Sequence, residues 1–221
     1  ENNDNNPEED TDRNCPIVLE QPTRIGYTFK GWYLYSSYTQ EITSIEKGTK
    51  ENLTLYAKWE ANVYTVKFDT NGGKELSNIE YTIETLGFYF PTPFKTGYTF
   101  VKWVDTTTNE ERSFVKNGTL ENVEVKAEWV PTVYSIKYNL NNGVYTEEYV
   151  KEYTIEDETI TLIIPTREYY IFDGWCIDEL CETSIITEIP TGSYGNKVFY
   201  AKWTPNQYVI IFDSCLGVTV P

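Results

Sequence analysis

The side chains in this sequence best able to do chemistry are four cysteines and several runs of carboxylates, with no histidine to work beside them. Without an imidazole, Ser-His-Asp and Cys-His catalysis, His-containing zinc sites and the usual proton shuttle near neutral pH all fall away. That absence is the strongest single argument against an enzyme. Cys15, Cys176, Cys181 and Cys215 make no paired Cys-x-x-Cys zinc pattern. Cys176 and Cys181 bracket a four-residue loop directly after Trp175. Two thiols so spaced can meet across a tight turn. An oxidising extracellular setting would close them into a disulfide, the expected state, whereas a reducing compartment would leave two free thiols.

The carboxylates sit as neighbours: Glu110-Glu111, Glu147-Glu148, Glu156-Asp157-Glu158 and Asp178-Glu179. Adjacent residues on a strand point to opposite faces, so such pairs do not converge on one substrate or cation and read as solvated loop charge. Asp69, Asn71 and Glu80 have a faint calcium-loop spacing, but the required glycine is misplaced and Asn139 replaces Asp69 further along. No catalytic, cofactor or metal residue is assigned. Asn52-Leu53-Thr54 and Asn117-Gly118-Thr119 fit the glycosylation acceptor pattern, which is common by chance.

The elements that must carry these residues repeat with a period of roughly seventy residues. Leu53 to Trp59 followed by Val63 to Phe68 returns as Val123 to Trp129 with Val133 to Tyr138, and again as Lys197 to Trp203 with Gln207 to Phe212. Gly26 to Trp32, Gly97 to Trp103 and Tyr169 to Trp175 form a second anchor, preceded by Pro22, Pro93 and Pro165. Tyr64, Val66 and Phe68 alternate with polar residues, and Tyr134, Ile136 and Tyr138 do the same, as half-buried strands require. Tyr208, Ile210 and Phe212 predict a third such strand. Asn71-Gly72-Gly73 and Asn141-Asn142-Gly143 suit a turn needing positive φ, and Tyr81 to Glu84 and Tyr153 to Glu156 then continue as the next strand. Phe29 and Trp32 have opposite parity, so either both faces of that strand are covered or a bulge near Gly31 re-aims the chain. The bulge is favoured. The variable segment before the last strand has room for a short helix or 3₁₀ turn but no long amphipathic helix.

Trp32, Trp59, Trp103, Trp129, Trp175 and Trp203 recur beside aliphatic residues and are assigned to cores rather than to a sugar-stacking platform. Tyrosines outside that pattern, Tyr33, Tyr35, Tyr38, Tyr145, Tyr149 and Tyr194, are the candidates for partner contact. The chain has 221 residues and a net charge of −16, the wrong sign for nucleic acid or an anionic membrane. No stretch approaches the apolar length of a transmembrane helix. Residue 1 is Glu and no signal peptide is visible, so the chain is expected to be a processed or trimmed piece of something longer.

Taken together, Asn71-Gly72-Gly73, Gly97 to Phe100 with Trp103, and Leu55 to Trp59 resemble the Listeria–Bacteroides repeat, the B-repeat-type module of internalin-like bacterial surface proteins. Copy three departs from it with Glu168-Tyr169, and copy four with Ser214 to Gly217. The resemblance implies small β-grasp-like modules arrayed in the stalk of a secreted or wall-attached protein, some relatives of which aid adhesion. The polysaccharide binding of basic relatives is not carried over, since the charge here is opposite.

The expected fold is α+β, mainly β, with modules strung as beads on short linkers. Residues 1–14 are an acidic Asn-rich disordered tail, 15–61 a partial repeat, 62–130 and 131–204 complete repeats, and 205–221 the start of a fourth. The expected role is a non-enzymatic extracellular stalk or adhesion-supporting segment, monomeric, without cofactor. The alternative is a module whose Tyr-rich loops bind a host protein or glycan.

Overall fold

The computed structural model describes residues 16–49, 51–182 and 184–212. The expected tail, Cys15, Cys215 and the end of copy four lie outside the described residues.

Copy one contributes β1 (Ile17–Val18), β2 (Tyr27–Tyr33), β3 (Glu41–Ile42), β4 (Ser44–Ile45) and β5 (Tyr56–Ala61). Copy two contributes β6 (Tyr64–Asp69), β7 (Ile79–Tyr81), β8 (Phe88–Tyr89), β9 (Tyr98–Asp105), β10 (Phe114–Val115) and β11 (Val123–Pro131). Copy three repeats that order as β12 (Tyr134–Asn139), β13 (Glu152–Tyr153), β14 (Ile160–Thr161), β15 (Tyr170–Cys176), β16 (Glu188–Ile189) and β17 (Lys197–Pro205). Each complete copy is a four-stranded sheet, ordered β7-β6-β11-β9 and β13-β12-β17-β15, beside a small antiparallel pair, β8 with β10 and β14 with β16. The central pairs β6/β11 and β12/β17 are parallel, and the first hairpins β6/β7 and β12/β13 antiparallel.

The fold is mainly β, and no helix occurs among the described residues. This corrects the α+β expectation. The variable segments instead form the short strands β4, β10 and β16, which return to pair with β1, β8 and β14. Their turns use left-handed backbone at Asn109, Gly118, Gly192 and Gly195, which breaks a helix before a turn can close.

Alternation along β6 and β11 decides what is buried. Val66, Val123, Val125 and Ala127 are buried with Tyr81, Phe90, Trp103 and Val115. The equivalent core in copy three is Ile136, Tyr153, Leu162, Trp175, Ile189, Phe199 and Ala201. A bulge between Phe29 and Gly31, and another between Phe172 and Gly174, turns the second aromatic onto the face of the first. The ring centroids of Phe29 and Trp32 thus lie 5.6 Å apart, and those of Phe172 and Trp175 5.4 Å.

Two strand readings change, and one strand is shorter than its counterpart in the next copy. Among the described residues of copy one no strand lies against β5 where β6 lies against β11, so β5 starts only at Tyr56 and Leu53 is exposed. Gln207 to Phe212 forms no strand, and Tyr208, Ile210 and Phe212 are exposed, because no described strand pairs with them. Strand β7 ends at Tyr81, and Thr82 to Thr85 is a turn closed by the Thr85 N–H donating to the Thr82 carbonyl at 3.0 Å.

The compact units do not coincide with single copies. One comprises Glu1–Pro93 with Val101–Glu128, the other Phe94–Phe100 with Trp129–Pro221. Only Asn62 and Val63 separate β5 from β6, and only Thr132 and Val133 separate β11 from β12. Glu60 and Val130, beside these junctions, are strand residues.

Candidate functional site

The tryptophans divide by position. Trp103 and Trp175 are 2% and 1% exposed, while Trp32, Trp59, Trp129 and Trp203 are half-buried. In each copy the first indole N–H donates to a backbone carbonyl just past a short strand: Trp32 to Glu20 after β1, Trp103 to Pro91 after β8 and Trp175 to Ile163 after β14. Trp203 donates likewise to the Leu140 carbonyl at 2.9 Å.

The loop tyrosines lie outside these packing schemes. Tyr35, Tyr38 and Tyr194 are exposed, and Tyr38 holds a left-handed backbone at φ 54° with its ring 5.5 Å from that of Tyr33. The Lys58 ammonium stands over both rings at 5.5 and 5.8 Å. In copy three, Tyr145 and Tyr149 stack with centroids 4.1 Å apart and planes inclined by 16°. Tyr149 meets Tyr138 edge-on at 5.4 Å, which ties the loop to the core side of β12. Burial, then the hydrogen bond with Tyr149, pushes the Tyr145 hydroxyl up to about 12, and burial does the same to Tyr138. Beside the stack, Glu147, Glu148, Tyr149, Lys151 and Glu152 line a shallow open depression. Its rim is acidic and its aromatic faces are partly spent on each other.

The carboxylates serve turns rather than a common centre. Asp69 accepts the Asn71 N–H at 2.9 Å, and Asn139 accepts that of Asn141 at 3.1 Å. Both positions need only one acceptor oxygen, which is why Asp and Asn interchange. Asp178 accepts the Glu182 N–H, and Asp157 that of Thr154. Among the described residues no group of three or more His, Cys, Asp or Glu could hold a metal ion. Asn52 and Asn117 are exposed.

Cys176 and Cys181 are both free thiols. Cys176 is buried, and burial followed by the neighbouring Cys181 thiol pushes it up to about 12. Cys181 is half-buried and left-handed at φ 53°.

Sequence reasoning missed the buried acid of copy two. Asp105 is 4% exposed, pairs with the Arg112 guanidinium at 2.8 Å, and accepts the Thr107 and Thr108 N–H groups. Burial works to raise its pKa, but these donors together hold it below the ordinary carboxylate value. Arg112 also reaches Glu121 at 3.1 Å. The pair has no counterpart in the other copies at the same offset, so the repeat pattern could not flag it.

The model of the Listeria–Bacteroides repeat domain matches residues 2–58, 64–127 and 134–202. A putative membrane protein of Evansella cellulosilytica is 33% identical over 215 residues, covering 92% of this chain and 31% of that protein. A putative Gly-rich membrane protein of the same organism is 32% identical over 202 residues, covering 90% of the chain and 23% of the relative. Internalin H of Listeria monocytogenes is 39% identical over 88 residues, 39% of the chain and 16% of that protein. The chain spans about a third or less of the length of these curated relatives. No solved structure matches it significantly. The three successive matches, registered on the three copies seen in the fold, place the chain in the Listeria–Bacteroides repeat family.

Proposed function

We propose that the chain is a non-enzymatic, extracellular repeat region that acts as a spacer or adhesion-supporting segment in a bacterial cell-surface protein. The observation that carries this reading is that the recurring residues are spent on folding. The repeated tryptophans pack or bond to backbone carbonyls of their own copy, the repeated Asn-Gly positions make turns, and the loops that face solvent differ between copies. A region under demand for a common ligand would keep its exposed loops and vary its supports. The names of the relatives, two membrane proteins and an internalin, support a place at the cell envelope. The central parallel pair with antiparallel neighbours supports the β-grasp-like description of each module, here built without a helix.

One observation favours a second reading, a module that binds a host protein or glycan. The Tyr145–Tyr149 stack and its neighbouring depression form an aromatic loop that packing of the sheet does not require. A glycan-array and host-protein screen on the whole chain in physiological salt separates the two. The spacer reading expects no saturable binding. Specific binding lost in Tyr145→Ala or Tyr149→Ala replaces it with the binding module.

A further inference from the structure

The same contact joins copy one to copy two and copy two to copy three. On one side is a four-residue turn that enters the Phe-x-x-Trp strand. It is closed by the Tyr27 N–H donating to the Arg24 carbonyl and the Tyr98 N–H to that of Lys95, each at 3.1 Å. The cation at the first position lies over the ring at the last, Arg24 over Tyr27 at 3.8 Å and Lys95 over Tyr98 at 4.1 Å. On the other side is the turn after the first hairpin of the following copy, Thr82 to Thr85 or Thr154 to Asp157.

The two turns meet at a glycine and an isoleucine. Gly26 and Gly97 have φ of 77° and 79°. A Cβ on Gly26 would come 2.8 Å from Ile83 Cδ1, and one on Gly97 would come 2.4 Å from Ile155 Cδ1. Those distances are shorter than any real Cβ contact, so the isoleucine occupies the space a side chain would need. Alongside, the Tyr27 hydroxyl donates to Glu84 Oε1 at 2.8 Å and the Tyr98 hydroxyl to Glu156 Oε1 at 2.9 Å. The carbonyls of Gly26 and Gly97 accept the N–H of Asn62 and Thr132, which ties each turn to the start of the next copy.

Copy three carries the same turn with one change. The Tyr170 N–H donates to the Arg167 carbonyl, the Arg167 guanidinium lies over the Tyr170 ring at 3.7 Å, and the Tyr169 carbonyl accepts the Asn206 N–H. Where the other turns have glycine, this one has Tyr169, left-handed at φ 67° and 64% exposed.

We infer that the Gly-Tyr turn and the Thr-Ile-Glu turn are complementary docking surfaces through which one repeat recognises the next, and that Tyr169 closes the third turn to a partner of that kind. The surface fits another repeat presenting an isoleucine over the glycine and a carboxylate under the tyrosine hydroxyl. It rejects any such repeat where the glycine gains a side chain. This holds whether the region serves as a spacer or as a binding module.

Amide hydrogen exchange on the full chain tests it. Ile155→Ala and Glu156→Gln, both in copy three, are expected to speed exchange of the Tyr98 and Thr132 N–H groups by about five- to tenfold, the effect of losing one ordinary contact. Exchange in β12 and β17 should stay as in the parent chain, which separates loss of docking from unfolding of copy three. Gly97→Tyr is the sharper variant, because Tyr169 shows that this turn accepts tyrosine in a left-handed backbone. It should leave the turn's left-handed backbone in place while exposing Ile155 and Glu156. If Gly97→Tyr leaves exchange across Tyr153 to Asp157 unchanged, or if the copy-three variants leave Tyr98 and Thr132 unmoved, the docking surfaces are not what joins the copies.

Discussion

Trp175 donates its indole N–H to the Ile163 carbonyl at 2.7 Å, twelve residues back, and Trp103 donates to Pro91 across the same interval. Each bond fastens the proline-bearing segment after β8 or β14 to the sheet strand that carries the indole, and each indole is almost wholly buried. Trp103→Ala and Trp175→Ala should each lower stability by about 3–5 kcal/mol, the cost of deleting a buried large aromatic. Trp129→Ala should cost less, since Trp129 is half-buried at the end of β11 beside Phe100, centroids 5.6 Å apart. Chemical denaturation of the three variants gives the ranking. Equal losses at Trp129 and Trp103 would contradict it.

Much of this arrangement is legible in the sequence because strand alternation acts locally. Tyr64, Val66 and Phe68 announce their face, and the parity clash between Phe29 and Trp32 announces the bulge that the register shift at Gly31 supplies. Strand length is not legible, because it depends on a neighbour. Leu53 carries the right pattern yet stays outside β5, while its equivalent Val123 pairs with Val66. The Thr-Ile-Glu motif was visible twice but reads as a continuing strand. Its turn becomes apparent only when the preceding glycine is placed against Ile83. Asp105 and Arg112 lie in a variable loop, where periodicity offers no guide.

That pair carries a pH dependence. Asp105 has a folded pKa below its ordinary value, so its contribution is fully present above the ordinary carboxylate pKa and is lost as pH falls through the depressed one. Asp105→Asn should cost about 1–3 kcal/mol at neutral pH through weakened bonds to Arg112, Thr107 and Thr108. It should also flatten the loss of copy-two stability in acid. Denaturation midpoints measured from neutral to acidic pH check both. An acid-induced loss of the same size in Asp105→Asn and the parent chain would assign it to other carboxylates.

The two thiols of copy three make the last prediction. Cys176 is buried with its thiol pushed up to about 12, whereas Cys181 is half-buried beside the Tyr200 carbonyl at 3.7 Å. Because the thiolate is the reactive species, reduced protein should alkylate at Cys181 well before Cys176 at mild alkaline pH. The thiols are close enough to hydrogen-bond, so an oxidising medium should join them and abolish labelling at both. The ring is short, which limits the gain in stability to about 2 kcal/mol. Peptide mass spectrometry of an unreduced digest reads the bridge directly. Both cysteines alkylating after oxidation, at the same rates as before, would mean that the loop holds its sulfurs apart and that copy three is stabilised by its core alone.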